Sequence, residues 1–136
     1  MIMNKKIAVD TNVLIYLHDD DISHKKRIAF DILKDNPVIA SQVISEYLNV
    51  LKRLLKEPKI RLIEHCLIVI QDCEVVPINI ALMEKAKDLI LRYDFQLFDS
   101  LIVASALQAG CTVLYSEDLQ HNQFIDNRLR IINPFL

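Results

Sequence analysis

Four carboxylates are marked out by the segments that carry them. Asp10 closes the apolar run Ile7-Ala8-Val9 in "KIAVDTNVLIYL" and is followed by Thr11, Asn12 and a second apolar run. Asp118 repeats the arrangement, because "TVLYSEDLQH" is a β-rich run ending on Ser116, Glu117 and Asp118. Asp99 opens "FDSLIVASALQAG", and Glu46 lies in "SQVISEYLNVLKRL". Brought together, such groups repel, and a fold tolerates that only by protonating one or by holding a cation. Mg²⁺ or Mn²⁺ suits oxygen donors and binds through a few carboxylates plus substrate phosphates. Zinc would prefer Cys and His, and His18, His24, His65 and His121 are scattered as surface or packing residues.

Each acid also has an ordinary reading. Asp10 can cap a helix, with Thr11 and Asn12 equally suited to that entrance. If Asp10 instead serves a site, Thr11 and Asn12 take over the capping. Asp99 reads as an N-cap between the staple residues Phe98 and Val103, a role compatible with metal binding through its other oxygen. An acidic turn such as Ser116-Glu117-Asp118 is common after a strand, and either Glu117 or Asp118 can face a site. Glu46 flanks an apolar stripe, and Asn49 and Val50 give it no intrahelical partner on its C-terminal side.

The elements that must position these acids alternate in type. Apolar runs predict strands over 7–9, 38–40, 74–77 and 112–115, with a fifth over 130–132. Helical spacing predicts a short helix over 13–18 and another from the Ser23 cap to about 35, the two separated by Asp19-Asp20-Asp21. Further helices are expected over 41–56, 59–72, 81–93 and 99–109, the last ended by Gly110. Strands alternating with helices give an α/β domain with a mainly parallel sheet. Ligands of such sheets bind at the carboxyl ends of the strands, where Asp10 and Asp118 fall.

Composition narrows the class. A 136-residue chain, 52% apolar, is expected to form a single domain over 1–136 with a packed core. The lone glycine excludes a Rossmann fingerprint or a P-loop. A net charge of −2 removes any global argument for holding nucleic acid by phosphate neutralisation alone. Cations, or a local basic run such as Lys52, Arg53, Lys56, Lys59 and Arg61, would have to supply the attraction; such a run is also an ordinary solvated face. Three cysteines without C-x-x-C pairing fit a reducing interior. Asp10 and Asn12 interrupt the apolar segment after Lys5 and Lys6, which argues against a signal peptide, and no run approaches a membrane span. A cytoplasmic protein is expected.

"AVDTNVLIYL", "SEYLNVL", "FDSLIVASALQAG" and "VLYSEDLQH", in this order, resemble the successive motifs of the PIN domain, and of VapC-type toxin nucleases in particular. The resemblance implies a three-layer α/β/α fold with sheet order 3-2-1-4-5, which sets the first and fourth strands side by side. It implies a Mg²⁺- or Mn²⁺-dependent endoribonuclease that cuts RNA. Asp10, Glu46, Asp99 and Asp118 match the family's catalytic and metal-binding acids, and Thr11, Asn12 and Ser116 its supporting polar residues. It also implies a homodimer and a small antitoxin partner. A non-catalytic PIN-fold module that binds RNA or protein is the alternative. Haloacid-dehalogenase phosphatases share the first strand but need a second aspartate where Asn12 stands, and receiver domains need a lysine near Asn133-Pro134.

Overall fold

The computed structural model describes residues 5–20 and 23–136. Asp21, at the end of the acidic break, lies outside them, as do the first four residues of the expected domain. Strand β1 (Ile7–Val9) leads directly into α1 (Thr11–Ile15), a 3-10 turn over Tyr16–His18, and α2 (His24–Leu33). Next come β2 (Val38–Ala40), α3 (Ser41–Leu55), α4 (Lys59–Ile70), β3 (Glu74–Val76), α5 (Ile80–Tyr93) and α6 (Leu97–Gln108). Strand β4 (Val113–Tyr115) and the hairpin β5 (Phe124–Ile125) and β6 (Leu129–Ile132) complete the order.

The sheet runs β3-β2-β1-β4-β6-β5, parallel except for β5, and helices flank it. The three-layer α/β expectation therefore holds, with a difference at one edge. The expected fifth strand is β6, and an antiparallel β5 of two residues lies outside it. Asp126 and Asn127 adopt φ of 53° and 52°, the left-handed backbone of a tight hairpin turn. Two residues are too few for alternation to reveal a strand in the sequence.

Strands β1 and β2 are buried along their whole length, which is why they read as continuous apolar runs. Helix α3 buries Val43, Tyr47 and Leu51 at four-residue spacing, leaving Gln42 and Glu46 together on the neighbouring stripe. Helix α6 is buried from Ile102 to Leu107 and shows no polar face over that stretch. It ends in a Schellman arrangement: Gly110 N–H donates to Leu107 O (3.0 Å) and Cys111 N–H to Ala106 O (2.9 Å). Gly110 has φ of 79°, a backbone conformation that favours glycine. The start of α6 departs from expectation: Gln96, extended at φ −65° and ψ 158°, is the N-cap, and Asp99 stands inside the first turn. Leu97 and Phe98 are exposed apolar residues, so no polar cap or buried stripe announces that turn in the sequence.

No described helix is long and apolar enough to cross a membrane. Cys66, Cys73 and Cys111 are free thiols; burial pushes Cys73 and Cys111 up to about 11.

Candidate active site

Register brings the first and last acids together. Val9 pairs with Tyr115, and Asp10 N–H donates to Tyr115 O at 3.0 Å, so Asp10 and Ser116 leave adjacent parallel strands at one level. Neighbouring strands lie about 4.8 Å apart, within reach of a short side chain. Ser116 Oγ donates to Asp10 Oδ2 at 2.9 Å and accepts from the N–H groups of Asp118 and Leu119, both at 3.2 Å. One buried hydroxyl thus fixes the orientation of Asp10 and the path of the loop carrying Asp118.

Asp10 is only 5% exposed. Its Oδ1 accepts from Thr11 N–H at 2.7 Å, so it caps α1 while its other oxygen faces Ser116. Capping therefore stays with Asp10. The expectation that Thr11 and Asn12 relieve it is corrected, because their side chains serve other acids. Thr11 Oγ1 donates to Glu46 Oε2 at 2.5 Å. Asn12 Nδ2 donates to Asp118 Oδ2 at 3.1 Å, and its Oδ1 accepts from Glu117 N–H at 3.2 Å.

Glu46 arrives because α3 follows β2 without a loop and β2 neighbours β1. Its second anchor is Gln42, one turn earlier, whose Nε2 donates to Glu46 Oε1 at 2.8 Å. The same Nε2 lies 3.4 Å from Phe98 O, joining α3 to the first turn of α6, where Asp99 sits half-buried. Gln42 escaped the sequence reading, which sought partners for Glu46 only toward the helix C-terminus; the i−4 position was the available signal.

Glu117 points elsewhere. Its carboxylate accepts from Tyr16 OH (2.7 Å) and from Lys25 Nζ (2.6 Å), and Lys25 also lies 4.7 Å from the centre of the Tyr16 ring. The Lys25 hydrogen bond, then that of Tyr16, holds Glu117 below the usual glutamate range. Of the two adjacent acids, Asp118 is the one whose carboxylate bonds Asn12.

The electrostatics mark the cluster as lacking positive charge. Burial pushes Asp10 up to about 6, offset in part by the Ser116 and Thr11 hydrogen bonds and reinforced by the charges of Glu46 and Asp99. Asp99 is also raised, by burial first and then by the charges of Asp118 and Glu46. Among the described residues no Lys, Arg or His pairs with any of the four acids. Nor do three described side chains of His, Cys, Asp or Glu converge into a ready-made coordination shell. The donor set is wholly oxygen and short of positive charge, which fits a hard cation that keeps much of its water. Three of the four histidines are occupied otherwise: His18 contacts Tyr47 OH, His65 meets Glu57 (2.7 Å), and His121 Nδ1 accepts from Asn133 N–H (2.9 Å).

The PIN domain family profile matches residues 7–125. The chain belongs to the PIN domain family. Several solved structures are similar in fold. A toxin–antitoxin complex from Klebsiella pneumoniae aligns at TM-score 0.69 and 20% identity, over 95% of this chain and 97% of that one. The sarcin-ricin-loop-cleaving toxin VapC20 of Mycobacterium tuberculosis aligns at 0.65 and 19%, over 83% and 90%. FitAcB of Neisseria gonorrhoeae aligns at 0.68 and 15%, over 95% and 98%. No curated protein matches by sequence. Within this PIN fold, Asp10, Glu46, Asp99 and Asp118 all lie at the same end of the sheet.

Proposed function

We propose that residues 1–136 form one metal-dependent endoribonuclease unit, the toxin of a VapBC-type toxin–antitoxin pair. The observation that carries this reading is the uncompensated carboxylate cluster of Asp10, Glu46, Asp99 and Asp118 at the strand ends of a PIN fold. The all-oxygen donor set favours Mg²⁺ or Mn²⁺, with Asp10 and Asp99 as primary ligands and Glu46 and Asp118 as the further acids. When bound, such a cation supplies a water of lowered pKa and neutralises charge developing on the phosphate.

The chain's own residues do the rest. Ser116 and Thr11 N–H hold Asp10 in one orientation, so its remaining lone pairs are aimed without reorganisation. Thr11 and Gln42 fix both oxygens of Glu46, and Asn12 restrains the exposed Asp118. The positive charge that an RNA phosphodiester needs at an acidic pocket would come from a cation held by these acids. The basic residues Lys52, Arg53, Lys56, Lys59 and Arg61 are exposed, but Lys52 and Arg53 already lie about 9–11 Å along α3 from Glu46 by helical rise and the others follow the end of that helix, and a solvated face accounts for them.

A homodimer, a small antitoxin partner and a cytoplasmic setting complete the proposal. The toxin–antitoxin complex among the fold neighbours supports the partner. Exposed Met83, Leu97 and Phe98 beside a groove of about 320 Å³ between α5 and α6 offer apolar surface for association. Purified protein should cleave RNA with Mn²⁺ or Mg²⁺ and stop on EDTA addition. Cleavage at the parent rate by Asp10→Asn and Asp99→Asn would overturn the assignment.

A further inference from the structure

Among the described residues, Gln42 is the one side chain hydrogen-bonded to both acid-bearing helices, α3 and α6. Its Nε2 faces two acceptors, Glu46 Oε1 at 2.8 Å and the Phe98 carbonyl at 3.4 Å. That pair fixes the amide's orientation, since the flipped amide would set its oxygen against a carboxylate oxygen. The consequence falls on the other end of the amide: Oε1 is buried, with no hydrogen-bond partner among the described residues. A buried carbonyl without a donor is a standing penalty that side chains seldom keep for stability alone. An apolar side chain of the same length would fill the space between α3 and α6 without that penalty. The observed residue does one thing an apolar one does not, which is to hold a proton donor against Glu46.

We infer that Gln42 is a positioning residue: it locks the Glu46 carboxylate, and through Phe98 O the first turn of α6, into the arrangement that receives the cation. Thr11 fixes one oxygen of Glu46 and Gln42 the other, so without Gln42 the carboxylate turns about its Thr11 contact. The inference rests on the proposed function, since it assigns Gln42 a task toward a cation. Such outer contacts typically contribute ten- to a hundred-fold in metal affinity.

The test is Gln42→Met, which keeps side-chain length and removes both the donor and the stranded acceptor. Calorimetric Mn²⁺ titration should give a Kd about ten-fold weaker than the parent's. The melting temperature in EDTA should rise by about 2–4 °C, because the unsatisfied carbonyl is gone. A merely structural Gln42 moves the second readout the other way. Gln42→Glu puts a second carboxylate against Glu46 and should melt below the parent in EDTA, with Mn²⁺ restoring more than it adds to the parent. Affinity of Gln42→Met within two-fold of the parent overturns the inference, as does a fall in both its affinity and its melting temperature. A parent that binds no Mn²⁺ overturns the proposed function and this inference together.

Discussion

The molecule holds two clusters of acids, and they are built in opposite ways. At the hairpin end, Asp126 accepts from Lys85 Nζ (2.7 Å), Arg92 Nη1 (2.7 Å) and Tyr93 OH (3.2 Å), while Asp88 takes Arg92 and Lys85. The Arg92 and Lys85 hydrogen bonds hold Asp126 well below the usual carboxylate range. At the strand ends, Asp10 and Asp99 are raised by burial and by one another's neighbours. The chain has bases enough to neutralise acids where it needs a staple, here tying the β5–β6 turn to α5. Around Asp10, Glu46 and Asp118 the partners are hydroxyls and amides, which orient a carboxylate without neutralising it. Orientation without neutralisation is what a cation site requires of its ligands.

That contrast can be broken most sharply by matched substitutions. Asp10→Asn should reduce RNA cleavage by at least about a hundred-fold, whereas Asp126→Asn should leave it within about two-fold. Equal losses in a gel-based assay would show that the clusters do not differ in kind.

The pH dependence comes next in size. Asp10 has a folded value near 6 against 3.8 for the free group, so the folded state favours its proton. Its contribution to stability is therefore greatest below pH about 4 and is lost as pH rises through about 6, a change on the order of 3 kcal/mol. Mg²⁺ should offset that loss, so its stabilisation in thermal melts should be clearly larger at pH 8 than at pH 5. Asp126, held low, has the opposite sign: its stabilisation is present above the ordinary carboxylate range and disappears as pH falls below it. Asp126→Asn should accordingly lower the melting temperature at pH 7 by about 3–6 °C, corresponding to about 1–2 kcal/mol, and leave the Mg²⁺ increment intact. The smallest expected effect belongs to Glu117→Gln. Because Glu117 is committed to Lys25 and Tyr16, cleavage should change by less than about three-fold, while Asp118→Asn should cost more. The reverse ranking in initial rates would reassign the fourth acid.

Much of this was legible in the residues, for reasons that differ by element. Buried strands β1 and β2 announce themselves as apolar runs, and Asp10 is conspicuous because it ends one. The cap reading of Asp10 holds, and its other oxygen is taken by Ser116, so capping leaves the second half of the carboxylate committed elsewhere. Glu117 and Asp118 are neighbours whose carboxylates have different partners, and only the distant Lys25 and Tyr16 reveal which one is committed elsewhere. The start of α6 at Leu97 has no local signature, because Leu97 and Phe98 are exposed and carry no burial signal there. Strand β5 is set by the left-handed turn at Asp126 and Asn127 and by its pairing with β6, neither of which a two-residue pattern encodes. Contacts such as Gln42 with Phe98 O depend on how α3 meets α6, a tertiary fact with no periodicity of its own.

The most direct test of the central claim, that the strand-end acids form a cation site while the hairpin acids do not, is a calorimetric Mg²⁺ titration at neutral pH of the parent, Asp10→Asn and Asp126→Asn. The expected result is saturable binding by the parent and by Asp126→Asn, with binding abolished or severely weakened in Asp10→Asn. Indistinguishable isotherms for all three proteins would contradict it.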